Sequence, residues 1–308
     1  MSTVPLIRPL GLNSFGHIES FYHQVVDALQ GGQAREAIHC DLSVVSFVPP
    51  EGILALVSAA RLWYLVTGYP IHLHNLRPDV HRYLERMDLF SQCGNWIRVA
   101  QELADADRLS RSTASQRLLE VLPIASEETQ NAQDVTDALA RASLILMSWF
   151  AADADAVTRL LTMLSEITTN VVHSLDRGFA VMQRYRDNDA VAFGSQVTIA
   201  VGDLGIGIQT SLRRKENFPR NLGHQPRESG SDYILHALEL GVTSRDTVGG
   251  MGLYRVRTLV HGWNGSLRIR SARSAVRISG SAVDVADDLA EIPGTQVVIS
   301  VRGSLVGS

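Results

Sequence analysis

Lysine is almost absent from this sequence: of its 28 basic residues, Lys215 is the only lysine. A phosphate loop of the Gly-x-x-x-x-Gly-Lys type needs a lysine directly behind a glycine to reach the outer phosphates, and Arg214 precedes Lys215. Any nucleotide must be held otherwise. Cysteine is nearly as scarce: Cys40 and Cys93 are the only two, and neither sits in a Cys-x-x-Cys spacing suited to metal or redox work. Cys40 lies in an apolar run and reads as core packing. There is no long run of basic residues, and with a formal charge of -4 and a pI of about 6.2 the chain carries no electrostatic footprint for nucleic acid or acidic lipid. No stretch approaches the ~18 apolar residues of a membrane span, and the amino terminus lacks a charged start followed by an apolar run. These absences predict a reducing, cytoplasmic setting with no nucleic-acid and no membrane partner.

What is present is ordinary for a globular chain: 45% hydrophobic and 19% charged residues. At 308 residues, two domains are the expectation. Residues 17–30 have the spacing of an amphipathic helix stopped by Gly31 and Gly32. Residues 37–42 and 44–48 read as extended, Pro49-Pro50 breaks the run, and residues 51–66 return to helical spacing up to Gly68. A strand over 71–76, a turn at Arg77-Pro78 and a helix over 80–89 complete a strand, helix, strand, helix order, which predicts a small α/β layer. Residues 94–114 show little apolar periodicity. The division is therefore 1–95 as an interaction domain, 96–114 as linker, 115–303 as a second domain and 304–308 as a tail.

In the second domain, residues 118–124 read as a strand and the run from Val135 to Trp149 as a helix. A helix over 156–173 follows, with Val157, Leu160, Leu161, Leu164, Ile167 and Val171 forming one apolar stripe. Glu166, Asn170 and His173 stand four and three residues apart, so they share the polar face of that helix. Strands over 179–185 and 197–201 are joined by a charged turn at 186–189, and the second runs into Asp203-Leu204-Gly205-Ile206-Gly207. Residues 211–230 are rich in Arg, Asn, Pro and Gly, as a mobile connection would be, with a helix over 231–240. Gly249-Gly250-Met251-Gly252-Leu253 then opens an apolar helix, where backbone N–H groups and the helix dipole suit an anion. A hairpin over 265–270 and 275–279, an acidic surface insertion over 283–292 and a last strand over 296–301 finish the chain. Taken alone, these motifs also fit a solvated helix face, a turn and a glycine cap.

Their order and spacing resemble the GHKL superfamily of gyrase, heat-shock chaperone, histidine kinase and mismatch-repair ATPases, over about residues 117–303. The resemblance implies an α/β sandwich of the Bergerat type, with a mixed sheet on one side and helices on the other, that binds ATP and Mg²⁺. It implies that Asn170 holds the metal and that Glu166 is the general base. Asp203 would bind adenine with Gly205 and Gly207 in its turn, supported by Thr295 through a shared water. Gly250 and Gly252 would face phosphate. Arg245 is suited to contact phosphate oxygens in bidentate fashion, or to a plain surface ion pair. His173 stands three residues after Asn170, whereas relatives in the anti-sigma branch usually carry a histidine four after, which leaves its role open.

Residues 35–92 resemble the STAS fold of anti-sigma-factor antagonists through Asp41-Leu42-Ser43, the Phe47 to Gly52 helix start, and Gly68 to Val80. There the switch serine of the family is replaced by Pro50 and Glu51, so an interaction module without that switch is expected. The combination implies an anti-sigma-factor-kinase type of regulator, with Mg²⁺-dependent ATP hydrolysis or serine/threonine phosphorylation of a protein partner reached through the STAS-like domain. A homodimer is left open. The alternative is a non-catalytic, ATP-gated protein-interaction module.

Overall fold

A computed structural model of the chain describes residues 5–31, 37–100, 118–124, 132–149, 154–172, 178–185, 196–214, 229–242 and 251–302. Contacts divide it into two compact units, one built mainly from Met1–Ser115 and the other mainly from Pro123–Leu289 and Pro293–Ser308. The first unit contains β1 (Leu6–Ile7), α1 (Phe15–Gln30), β2 (Ile38–Asp41), α2 (Pro50–Thr67), β3 (Ile71–His74), α3 (Pro78–Arg86), α4 (Leu89–Cys93) and β4 (Ile97–Val99). Its four strands pair in parallel in the order β1-β2-β3-β4.

The helices start and stop where side-chain chemistry directs. Ser14 accepts from the His17 N–H at the start of α1. Pro50 occupies the first turn of α2, where its missing N–H costs nothing, and Gly68 closes that helix at φ 77°. Strand alternation sorts the sheet into two faces: Ile38, Cys40, Ile71 and Leu73 are buried on one. On the other, His39 lies directly across from His72, and Asp41 across from His74. The three imidazoles stack, with centroids 5.3 Å apart for His39 and His72 and 4.5 Å for His39 and His74. Burial raises the Cys40 thiol beyond reach and pushes that of Cys93 up to about 12, so both are inert core groups.

In this first unit two details differ from the expected elements. Residues 44–48 are not a strand, because the Asp41 carboxylate accepts from the Ser43 N–H and the Val45 N–H returns to the Leu42 carbonyl, turning the chain at once. Ile97–Val99, inside the stretch read as linker, is a strand paired with β3.

The remaining elements are β5 (Leu118–Ile124), α5 (Ala132–Trp149), α6 (Ala154–Val172), β6 (Gly178–Tyr185), β7 (Gln196–Asp203), α7 (Gly207–Arg214), α8 (Gly230–Ala237), α9 (Gly252–Gly262), β8 (Ser266–Ala272), β9 (Ser274–Ser279), β10 (Ala282–Ala286) and β11 (Ile292–Arg302). Seven strands form one sheet in the order β10-β9-β8-β11-β7-β6-β5. The expected mixed sheet is antiparallel at β10/β9, β9/β8, β11/β7 and β7/β6. Val157, Leu160, Leu164, Ile167 and Val171 of α6 are buried as the stripe predicts, joined by Met163, whereas Leu161 at the edge of the stripe is only partly buried. The 283–292 stretch lies mostly on the surface as expected, but it begins as regular structure: Ala282–Ala286 pairs with β9 as the edge strand, with Val283 and Val285 exposed. Among the described residues no helix is long and apolar enough to cross a membrane.

Candidate functional site

Helix α6 carries Glu166 and Asn170 one turn apart on the side away from its buried stripe; Glu166 is half-buried and Asn170 exposed. α9 packs across α6 with Gly252 at its first position. A Cβ added to Gly252 would lie 3.0 Å from Glu166 Oε2 and 3.8 Å from Asn170 Nδ2. Any larger residue would therefore crowd the carboxylate. Arg255, one turn along α9, donates from Nη1 to Glu166 Oε1 at 2.6 Å. Three of the residues expected to act together, Glu166, Asn170 and Gly252, are thus brought to one spot, and Arg255 joins them.

The Asp203 turn is built separately and as tightly. β7 delivers Asp203 to the end of the sheet with 6% of its surface exposed, and its Oδ1 accepts from the Gly205 N–H at 2.7 Å. That bond is the usual reason an aspartate starts a turn. Gly207 has φ 70°, which favours glycine, and it opens α7. Ser271 of β8 clips the turn: its Oγ accepts from the Ile208 N–H at 2.9 Å and donates to the Gly294 carbonyl at 3.0 Å. Gly294, at φ 83°, lies so close that a Cβ there would collide with the Asp203 carbonyl. Gln296 pairs with Gly202, so the antiparallel register carries Thr295 to the position across from Asp203.

One contact ties the two clusters. Gly178 of β6 pairs with Asp203, and a Cβ at Gly178 would strike Val171, the residue after Asn170 on α6. The glycine lets the end of α6 settle onto the strand that ends in Asp203. The flanking helices are anchored too. Arg213 of α7 donates to the Tyr233 hydroxyl of α8 at 2.9 Å and lies over its ring. The Ser231 N–H and Oγ–H of α8 both donate to the Asp287 carboxylate. Burial alone would raise the Asp287 carboxyl, but hydrogen bonds from Ser274, Ser231 and Ser229 outweigh it and hold it below the usual carboxylate range.

Among the expected site residues, Arg245, Gly250 and His173 lie outside the described residues, as do most of the 211–230 connection and the 186–189 turn. Among the described residues no group of three or more His, Cys, Asp or Glu side chains is placed to hold a metal ion. Reading the sequence missed Arg255 and Ser271. Arg255 had one detectable signal: a cation in the first turns of a helix with no acidic residue there opposes the helix dipole and asks for a nearby anion. Ser271 had none, being one serine among the alternating residues of a strand.

Together, fold and arrangement define an α/β chain with a parallel sheet in one unit and an antiparallel sheet in the other. No protein-family model matches the chain, and no curated protein is significantly similar to it.

Proposed function

We propose that the second unit binds ATP with Mg²⁺ where α6, the Asp203 turn and the start of α9 meet, and uses it for phosphoryl transfer to water or to a serine or threonine of a protein partner. The observation that carries this reading is the meeting of Gly252 with Glu166 and Asn170. A carboxylate, an exposed amide and a helix start bare of side chain are what a phosphate-handling site needs in one place. The residues fit the metal as well. Mg²⁺ keeps several waters and takes few ligands from the protein beside substrate phosphates, so no all-protein cage is required; the Asn170 amide carbonyl and the Glu166 carboxylate one turn away supply the oxygens that would hold it. When bound, the metal neutralises phosphate charge. With nucleotide bound, Glu166 would take the proton of the attacking hydroxyl or water, the Asp203 carboxylate would accept from the exocyclic amine of adenine, and the N–H groups that open α9 would serve the phosphates. The first unit serves as the partner-recognition module.

The test uses γ-labelled ATP with Mg²⁺, calorimetry, and three variants of the full chain. Asp203→Asn is expected to weaken ATP binding roughly ten- to a hundredfold, the worth of a charged hydrogen bond. Glu166→Ala should lower turnover by about 10² to 10⁴ while ATP still binds. Asn170→Ala should remove the Mg²⁺ dependence of both binding and turnover. Normal turnover by Glu166→Ala would remove Glu166 as the general base, and ATP binding by the wild type with neither phosphate release nor protein labelling would leave only an ATP-gated interaction module; normal ATP binding by Asp203→Asn would sink the nucleotide site itself.

A further inference from the structure

We infer that Arg255 is the positioning residue for Glu166, fixing which carboxylate oxygen is presented to the attacking nucleophile. The inference rests on the phosphoryl-transfer reading and deepens it. A glutamate has three rotatable side-chain bonds, and a base that samples several rotamers presents an oxygen to the nucleophile only part of the time. Here the two oxygens are distinguished by their surroundings. Oε1 receives the Arg255 guanidinium at 2.6 Å, a close charge-assisted bond. Oε2 lies on the Gly252 side, 3.0 Å from where a Cβ would be, so the oxygen left for proton transfer is directed toward the bare start of α9. Gly252 and Arg255 are three residues apart on α9 and share a face, as Glu166 and Asn170 do on α6. One helix therefore both fixes the carboxylate and leaves the space beside it open.

An arginine used only to decorate the surface has better places than the first turns of a helix. With Gly252 as the first helical residue, Arg255 stands in the end of α9 where the dipole disfavours a cation, and no acidic residue of that first turn offsets it. Glu166, from the neighbouring helix, supplies the compensating charge. The guanidinium is about half exposed and the carboxylate less so, so the pair adds little to stability and its effect belongs on the reaction.

The test compares wild type, Arg255→Ala, Arg255→Lys, Glu166→Gln and the double variant Glu166→Gln/Arg255→Ala in steady-state phosphate release, with ATP affinity by calorimetry. Arg255→Ala is expected to lower kcat by about ten- to a hundredfold with KM for ATP changed less than about threefold, because a positioning residue acts on the chemical step. Arg255→Lys should recover part of the loss by restoring the charge without the fork. In the Glu166→Gln background, Arg255→Ala should cost nothing further, since its effect passes through Glu166. Arg255 is merely a surface ion pair if both constants stay unchanged. It is a phosphate ligand if KM rises while kcat holds, or if the loss persists in the Glu166→Gln background. Should Arg255→Ala fail to fold, the Lys variant and the cycle Glu166→Gln against Glu166→Gln/Arg255→Lys carry the same decision. A wild-type chain that neither releases phosphate nor transfers label from γ-labelled ATP to itself or to a protein in a lysate of its own cell overturns the phosphoryl-transfer reading and this inference together, which is a different outcome from an active wild type indifferent to Arg255; where the label goes to a protein, the same variants are compared in that transfer.

Discussion

At the scale of single residues, the Asp203 turn depends on atoms remote from it in sequence. Ser271 satisfies the Ile208 N–H and the Gly294 carbonyl with one buried hydroxyl, so Ser271→Ala leaves both without their partner and should cost about 1 to 3 kcal/mol in chemical denaturation. Gly294→Ala combines a left-handed backbone with a collision at the Asp203 carbonyl. It should destabilise by at least about 1 to 3 kcal/mol and weaken ATP binding through displacement of Asp203, read by calorimetry. Glu166, Asn170 and Asp203 were legible in the sequence because helical spacing and a strand-to-glycine transition each place a polar residue with a definite geometry. Ser271 was not, and Arg255 only through its place against the helix dipole, because their significance comes from contacts 23 or more residues away along the chain: Ser271 with Gly294, and Arg255 with Glu166 at a separation of 89.

At the scale of elements, periodicity located α1, α2, α5, α6, β5 and β6 to within a few residues, since each is long enough to repeat its pattern. β1 at two residues and β4 at three are too short to show alternation, and only their pairing defines them. The helices around the site carry a prediction of their own. α7 and α8 are held by the Arg213 to Tyr233 bond and by the Asp287 carboxylate on Ser231. Asp287→Ala removes the acceptor of two donors at the start of α8, so amide exchange over Gly230–Ala237 should quicken while α6 keeps its protection. Addition of ATP and Mg²⁺ to the wild type should slow exchange over 207–214 and 229–237. Unchanged exchange in both experiments would mean these helices do not respond to the site.

At the scale of the molecule, the two sheets respond to pH through different groups. On the first, burial foremost and then the neighbouring imidazoles, with Arg98 added at His72, hold His72 and His74 below the ordinary imidazole value; the Asp41 carboxylate offsets this in part at His74. The unfolded chain then takes up protons before the folded one as pH falls. The stability these residues leave intact is complete above pH about 6.5 and is lost progressively below it. Thermal unfolding followed from pH 7.5 to about 5.5 should show the first unit's transition moving down, and His72→Gln/His74→Gln should flatten that slope. On the second sheet the feature with consequences is the outer strand, β10. An edge strand with two exposed valines is a template on which further copies could stack into fibrils. Asp284 stands between Val283 and Val285, with Asp287 and Asp288 just beyond. Copies pairing antiparallel about Asp284 would bring carboxylates face to face. Negative charge thus opposes such stacking at neutral pH, and Asp284→Val should raise thioflavin binding on standing above that of the wild type.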